Sequence, residues 1–112
     1  MINNKNNRQY LESIMEKVGL DPKSKKHVGK YSMGMRQRLA IAQSIMEEPE
    51  FLVLDEPFNG LDSHGVNEMR ELFLELKKRG KVILIASHNS EDINILCDNV
   101  YSMESGILKV IR

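Results

Sequence analysis

Cysteine is almost absent from this chain, with Cys97 alone among 112 residues. One thiol can form no internal disulfide and has no companions for a zinc site, which fits a reducing compartment. Its ordinary reading is a small apolar residue on a helix. Neither sign of charge prevails, since 16 basic side chains face 16 acidic ones, so net charge points to no particular partner. Long hydrophobic runs are missing too. The longest, Val82-Ile83-Leu84-Ile85-Ala86, falls far short of the roughly 20 residues that cross a bilayer. The Asn-rich start Met1 to Asn7 has no apolar stretch of the kind a secretory signal needs, and a cytoplasmic location is expected. No Gly-x-x-x-x-Gly-Lys-Ser/Thr loop occurs to cradle phosphates. Gly29-Lys30 runs into Tyr31 and Gly80-Lys81 into Val82, so neither replaces it. Repeats and low-complexity tracts are likewise absent.

What is present is an ordinary globular composition, 41% apolar and 29% charged, enough for at most one domain. Tyr10, Leu11, Ile14, Met15 and Val18 recur at helical spacing before Gly19. Asp21 to Lys30 reads as a polar linker. Its Lys23, Lys25, Lys26 and Lys30 have no interleaved aromatics, so a solvated loop is favoured over a nucleic-acid patch. Ser32 reads as the N-cap of a helix carrying Met35, Leu39, Ala42 and Met46 on one face, ended by Pro49.

Phe51 to Leu54 predicts a buried strand. Ser63 is expected to cap the next helix, with Val66, Met69, Phe73 and Leu76 inward and Gly80 as its stop. Lys81 to Ser87 predicts a second strand, buried on both faces and parallel to the first in a βαβ unit. A short helix from about Glu91 to Cys97 and a hairpin, Val100 to Met103 and Ile107 to Ile111 around Glu104-Ser105-Gly106, complete the chain.

The chemistry collects where ligands gather in such sheets, beyond the carboxyl ends of the strands. Asp55, Glu56 and His88 all fall there. In P-loop nucleotide hydrolases one acid at such a strand end helps hold Mg²⁺ and another polarises the attacking water. Adjacent residues in extended backbone point to opposite faces, which predicts a division of labour between Asp55 and Glu56. The alternatives are a polar strand terminus and, for His88, a turn whose imidazole caps the next helix. Ser32 and Gly34 open a helix whose free N–H groups suit an anion, or simply make an N-cap. Arg36 and Arg38 either face a phosphate or solvate the surface.

Taken in order, Tyr31-Ser32-Met33-Gly34-Met35-Arg36-Gln37-Arg38-Leu39, Phe51-Leu52-Val53-Leu54-Asp55-Glu56-Pro57, Gly60-Leu61-Asp62 and Ser87-His88 closely resemble the ATP-binding cassette (ABC) transporter ATPases. The likeness runs from about Tyr10 to the C-terminus. It implies an α/β fold, a partial P-loop NTPase with a parallel βαβ core, part of the helical subdomain (about residues 8–48) and the back half of the core with its hairpin (49–112). By resemblance Tyr31 to Met35 is the signature, Phe51 to Glu56 the Walker B strand, Gly60 to Asp62 the D-loop, and His88 the switch histidine.

The resemblance also implies roles. Two cassettes pair head to tail around ATP, with Ser32 and Gly34 meeting the γ-phosphate held by the partner and Asp62 at the shared interface. Asp55 positions Mg²⁺ through water, Glu56 is general base and His88 touches the γ-phosphate. A transmembrane permease would hold the chain at the inner face of the plasma membrane, and no nucleic acid is expected. The usual signature is Leu-Ser-Gly-Gly-Gln; this chain keeps only the serine and the second glycine, and in that resembles the antibiotic, bacitracin and lantibiotic exporter branch. Family members carry the phosphate loop, an adenine-stacking aromatic and the Q-loop upstream of the matched region. The chain is therefore expected to be a C-terminal portion of a cassette that couples ATP hydrolysis to transport, inactive alone. A non-catalytic segment acting in trans on a complete cassette and a non-transport ABC ATPase stay open as alternatives.

Overall fold

A computed structural model describes residues 7–112, with the side chain of Asn7 outside the description. The element order is α1 (Asn7–Lys17), a 3-10 turn (Val28–Lys30), α2 (Met33–Ile45), β1 (Phe51–Asp55), α3 (Ser63–Lys78), β2 (Val82–Ala86), α4 (Ser90–Leu96), β3 (Tyr101–Glu104) and β4 (Ile107–Val110). β1 and β2 pair in parallel with Phe51 opposite Val82 and Asp55 opposite Ala86. β3 and β4 form a separate antiparallel pair.

Helix ends are written locally. Both α1 and α3 close on a glycine in the left-handed region, Gly19 at φ 80° and Gly80 at φ 87°. In each, two crossed backbone bonds satisfy the last carbonyls: Gly19 to Glu16 and Leu20 to Met15, then Gly80 to Lys77 and Lys81 to Leu76. Ser32 caps α2 as its sequence position predicts, its Oγ accepting from the Met35 N–H at 3.1 Å. α3 begins differently from expectation. Asp62, not Ser63, is the N-cap, with its carboxylate accepting from the Gly65 N–H at 2.8 Å. The hairpin turn Ser105-Gly106 has φ of 50° and 78°, the doubly left-handed geometry whose twist matches the flanking strands.

The core lies between α1, α2, α3 and one face of β1. Ile14, Val18, Ile41, Ile45, Leu52, Leu54, Met69 and Phe73 meet there. The inward face of α2 is Ile41, Ala42 and Ile45, with Met35 and Leu39 only partly covered, so the apolar stripe is rotated from the one the sequence suggested. β1 alternates, with Leu52 and Leu54 buried and Phe51 and Val53 exposed. β2 is not buried on both faces, since Val82 and Leu84 keep 57% and 54% of their surface exposed. The described residues put helices on one side of this sheet only, and an apolar run that reads as doubly buried is left half open. Behind α3, the Arg70 guanidinium pairs with the nearly buried carboxylate of Asp92 and fixes α4.

Candidate functional site

Glu56 is where the elements converge. It follows β1 directly and sits at φ 46°, a left-handed conformation that costs a non-glycine residue about 1–2 kcal/mol. Three contacts hold it there. Its N–H donates to the Ala86 carbonyl at 2.7 Å, its carbonyl accepts from Gln37 Nε2 at 2.8 Å, and its Oε1 accepts from the His88 N–H at 2.9 Å. His88 Nδ1 lies 2.5 Å from the same oxygen. Glu56 therefore does not continue the extended strand, and it is the turn after Asp55, rather than strand alternation, that separates the two carboxylates.

The His88 ring is otherwise fully exposed while the Glu56 side chain retains 25% exposure. Contact to a carboxylate assigns the proton to Nδ1 and leaves Nε2 toward solvent. A doubly protonated ring can then bridge Glu56 and an anion. The helix-capping role that His88 might have played belongs to Asn89, whose Oδ1 accepts from the N–H groups of Glu91 and Asp92. Beside Glu56 a cavity of about 350 Å³ is lined by Phe58, Asn59, Ser87, Asn89 and Arg70 among others.

Asp55 ends β1 with its side chain exposed. No cluster of three or more metal-ligating side chains exists among the described residues. Mg²⁺ keeps several waters and takes one or two carboxylates together with phosphate oxygens, and a single exposed carboxylate such as that of Asp55 is compatible with that way of binding.

Ser32 and Gly34 form a second group. Ser32 is exposed, and its oxygen accepts from its own helix while the hydroxyl proton stays available. The backbone approach at Gly34 is to the chain itself: a Cβ there would stand 2.8 Å from the Gly60 carbonyl oxygen. Gly60, at φ 80°, in turn leaves room for Met33. Asp62 serves α3 as its cap. Glu56 and His88 are thus brought together, as are Gly34 and Gly60, and the two groups are joined by Gln37.

Arg38 faces neither a phosphate nor bulk water. Its guanidinium donates to the Val18 carbonyl at 2.9 Å, pairs with Glu68 at 3.0 Å, and fills space that a side chain at Gly19 or Gly65 would occupy. Arg36 stays exposed and reaches the Gly29 carbonyl at 3.4 Å. Gln37 escaped the sequence reading, although its place between Gly34 and Ile41 at helical spacing puts all three on the inward side. Cys97 is a helix C-cap rather than a helical residue, and burial pushes its thiol up from 9.0 despite Arg112 and Lys77 nearby.

The family described as ABC transporter matches residues 2–59. The uncharacterized ABC transporter ATP-binding protein YybJ of Bacillus subtilis is 48% identical over 99 residues, 88% of this chain and 45% of that protein. The bacitracin transport ATP-binding protein BcrA of Bacillus licheniformis is 45% identical over 102 residues, covering 90% of this chain and 33% of BcrA. Its Enterococcus faecalis counterpart is 43% identical over 99 residues, 88% of this chain and 32% of its own length. The chain spans about a third to a little under half the length of these relatives.

Proposed function

Because the chain belongs to the ABC transporter family, we propose that it contributes the water-activating and phosphate-sensing parts of an ATP-hydrolysing unit that drives export across a membrane. The observation that carries this is the pairing of Glu56 with His88 at the ends of two parallel strands, at 2.9 Å and 2.5 Å. Both contacts fall on Oε1, which leaves the other carboxylate oxygen to accept a proton from water. With Nε2 protonated as well as Nδ1, the exposed His88 ring can donate to a γ-phosphate oxygen, so the residue that takes the proton and the one that senses the phosphate are held by the same bond.

ATP and Mg²⁺ are the cofactors of this reading. Bound Mg²⁺ neutralises charge that develops on the phosphoryl oxygens, and Asp55 would hold it through water. Ser32 and Gly34 would present a hydroxyl and backbone N–H groups to the phosphate of an opposing cassette in a head-to-tail pair, with Asp62 at the interface. Catalysis then needs a phosphate cradle on the same assembly, and a permease partner would link hydrolysis to transport at the membrane. Among the described residues no helix is long and apolar enough to cross a membrane. The bacitracin transport relatives favour an export substrate of that kind.

The test is a chimaera in which this chain replaces the 99 matched residues of YybJ. It should hydrolyse ATP, and Glu56→Gln should lower the rate by about 10²- to 10⁴-fold, the usual cost of losing a general base. A chimaera that turns over ATP equally well with Glu56→Gln removes Glu56 from the chemistry.

A further inference from the structure

The end of α4 nearest His88 is fixed to the body of the protein by charge rather than by apolar packing. Among the described residues of this helix Asp92 is the buried one, its side chain 6% exposed, while Leu96, which packs against the core, lies at the far end. The Asp92 carboxylate meets the Arg70 guanidinium through Oδ1 and Nη2. Arg70 follows Met69 on α3 and stands one turn before Phe73, both deep in the core, so its backbone has a fixed place. Its Nε is buried without a hydrogen-bond partner, and no second carboxylate pairs with this guanidinium among the described residues.

From Asp92 back to His88 the chain is short and internally tied. Asn89 Oδ1 accepts from the N–H groups of Glu91 and Asp92 at 2.9 and 3.1 Å, and Ser87 Oγ accepts from the Asn89 N–H at 3.0 Å. Ser87 to Asp92 therefore form one piece, joined to β2 at one end and to Arg70 at the other. His88 sits inside that piece with its ring fully exposed, so apart from its bond to Glu56 the imidazole is located by where the piece is held. Arg70, Asp92, Asn89 and Ser87 line the same cavity as Glu56.

A buried ion pair is a poor source of stability, because desolvation offsets much of the attraction and apolar side chains of like volume often serve as well. What the pair adds is direction, since a guanidinium and a carboxylate meet in set geometries. On the reading in which Glu56 takes the proton and His88 meets the phosphate, we propose that Arg70 and Asp92 are positioning residues for the reaction. Their pair sets the angle at which α4 leaves the sheet and, through Asn89, holds the His88 ring at Glu56 Oε1. Neither side chain touches the reacting atoms.

The test compares Asp92→Leu, which strands the guanidinium, with Arg70→Met/Asp92→Leu, which removes both charges and keeps the space filled. Asp92→Leu should lower the melting temperature of the full chain by more than about 10 °C, and the double variant should recover most of that loss. NMR of the double variant should nevertheless show the His88 amide and ring signals displaced toward those of Glu56→Gln. Arg70→Lys, which keeps the charge but not the planar fork, should displace the same signals with a smaller change in melting. In the YybJ chimaera the double variant should lower kcat by about tenfold to 10²-fold with KM unchanged, the cost of a misplacement of about 1 Å. The NMR comparison needs no turnover, so it decides the positioning even where Glu56→Gln leaves the chimaera active and the catalytic reading fails. A folded variant of either kind with parental His88 signals overturns the proposal, as does a parental kcat for the double variant in a chimaera whose turnover depends on Glu56.

Discussion

Gln37 Nε2 donates to the carbonyl of Glu56 at 2.8 Å, tying the helix that Ser32 caps to the residue at the end of the first strand. The bond fixes one side of a peptide whose residue sits at φ 46°, and strained backbone of this kind persists only where its surroundings over-determine it. Gln37→Ala should lower stability by about 1 kcal/mol, the net worth of a typical hydrogen bond, in urea unfolding of the chain. In the YybJ chimaera it should also reduce kcat with little change in KM, because the base loses its position and not its proton affinity. An unchanged kcat would limit Gln37 to a structural role.

Gly34 is restricted by space. A Cβ would press within 2.8 Å of the Gly60 carbonyl oxygen, and backbone yields poorly, so Gly34→Ala should cost about 1–3 kcal/mol, as overpacking does. Gly29 has nothing within 4 Å of the same position. Gly29→Ala should therefore stay within about 0.5 kcal/mol of the parent, and equal melting shifts for the two variants would refute the packing account.

The two faces of β1 should respond oppositely to substitution. Leu52, 3% exposed, should cost about 2–5 kcal/mol on conversion to alanine. Val53, 63% exposed and beside Phe51 and Leu84, should tolerate lysine with a change of about 0.5 kcal/mol or less. The open apolar face and unpaired strand edges favour self-association. Sedimentation should show Val53→Lys to be less associated than the parent at matched concentration.

Alkaline pH should weaken the fold. The phenol of Tyr10 and the thiol of Cys97 are both pushed above their ordinary values of 10.0 and 9.0, each chiefly by burial. A raised acid means that the folded state holds its proton more tightly than the unfolded chain. The stabilisation is complete below the unfolded value and is lost as pH climbs through the folded one. Unfolding free energy should fall from about pH 9 upward, and Cys97→Ser should flatten the first part of that fall. A Cys97 alkylation midpoint at or below 9.0 would contradict the shift.

Much of this protein was legible in its residues. Ser32 as a cap, Gly19 and Gly80 as stops, the parallel pairing of the Phe51 and Val82 runs and the Ser105-Gly106 turn depend on local backbone preferences, and the structure contains them all. The order of Ser32, Asp55-Glu56, Asp62 and Ser87-His88 also pointed to the family, since such spacing survives in the chain whatever its three-dimensional arrangement. Burial was less readable. The run Val82 to Ala86 has the composition of a doubly covered strand, yet coverage depends on what packs on each face, and composition does not encode that.

Tertiary structure alone decided which atoms meet. Glu56 leaves the strand because Gln37, Ala86 and His88, all distant in sequence, hold its carbonyl, N–H and carboxylate. Arg38 turns inward because Val18 and Glu68 receive it and Gly19 and Gly65 give it room. Residue type sets what each group can do in chemistry, and the sequence determined that. Long-range packing sets direction and distance, which is why the Glu56–His88 pair emerged only with the fold.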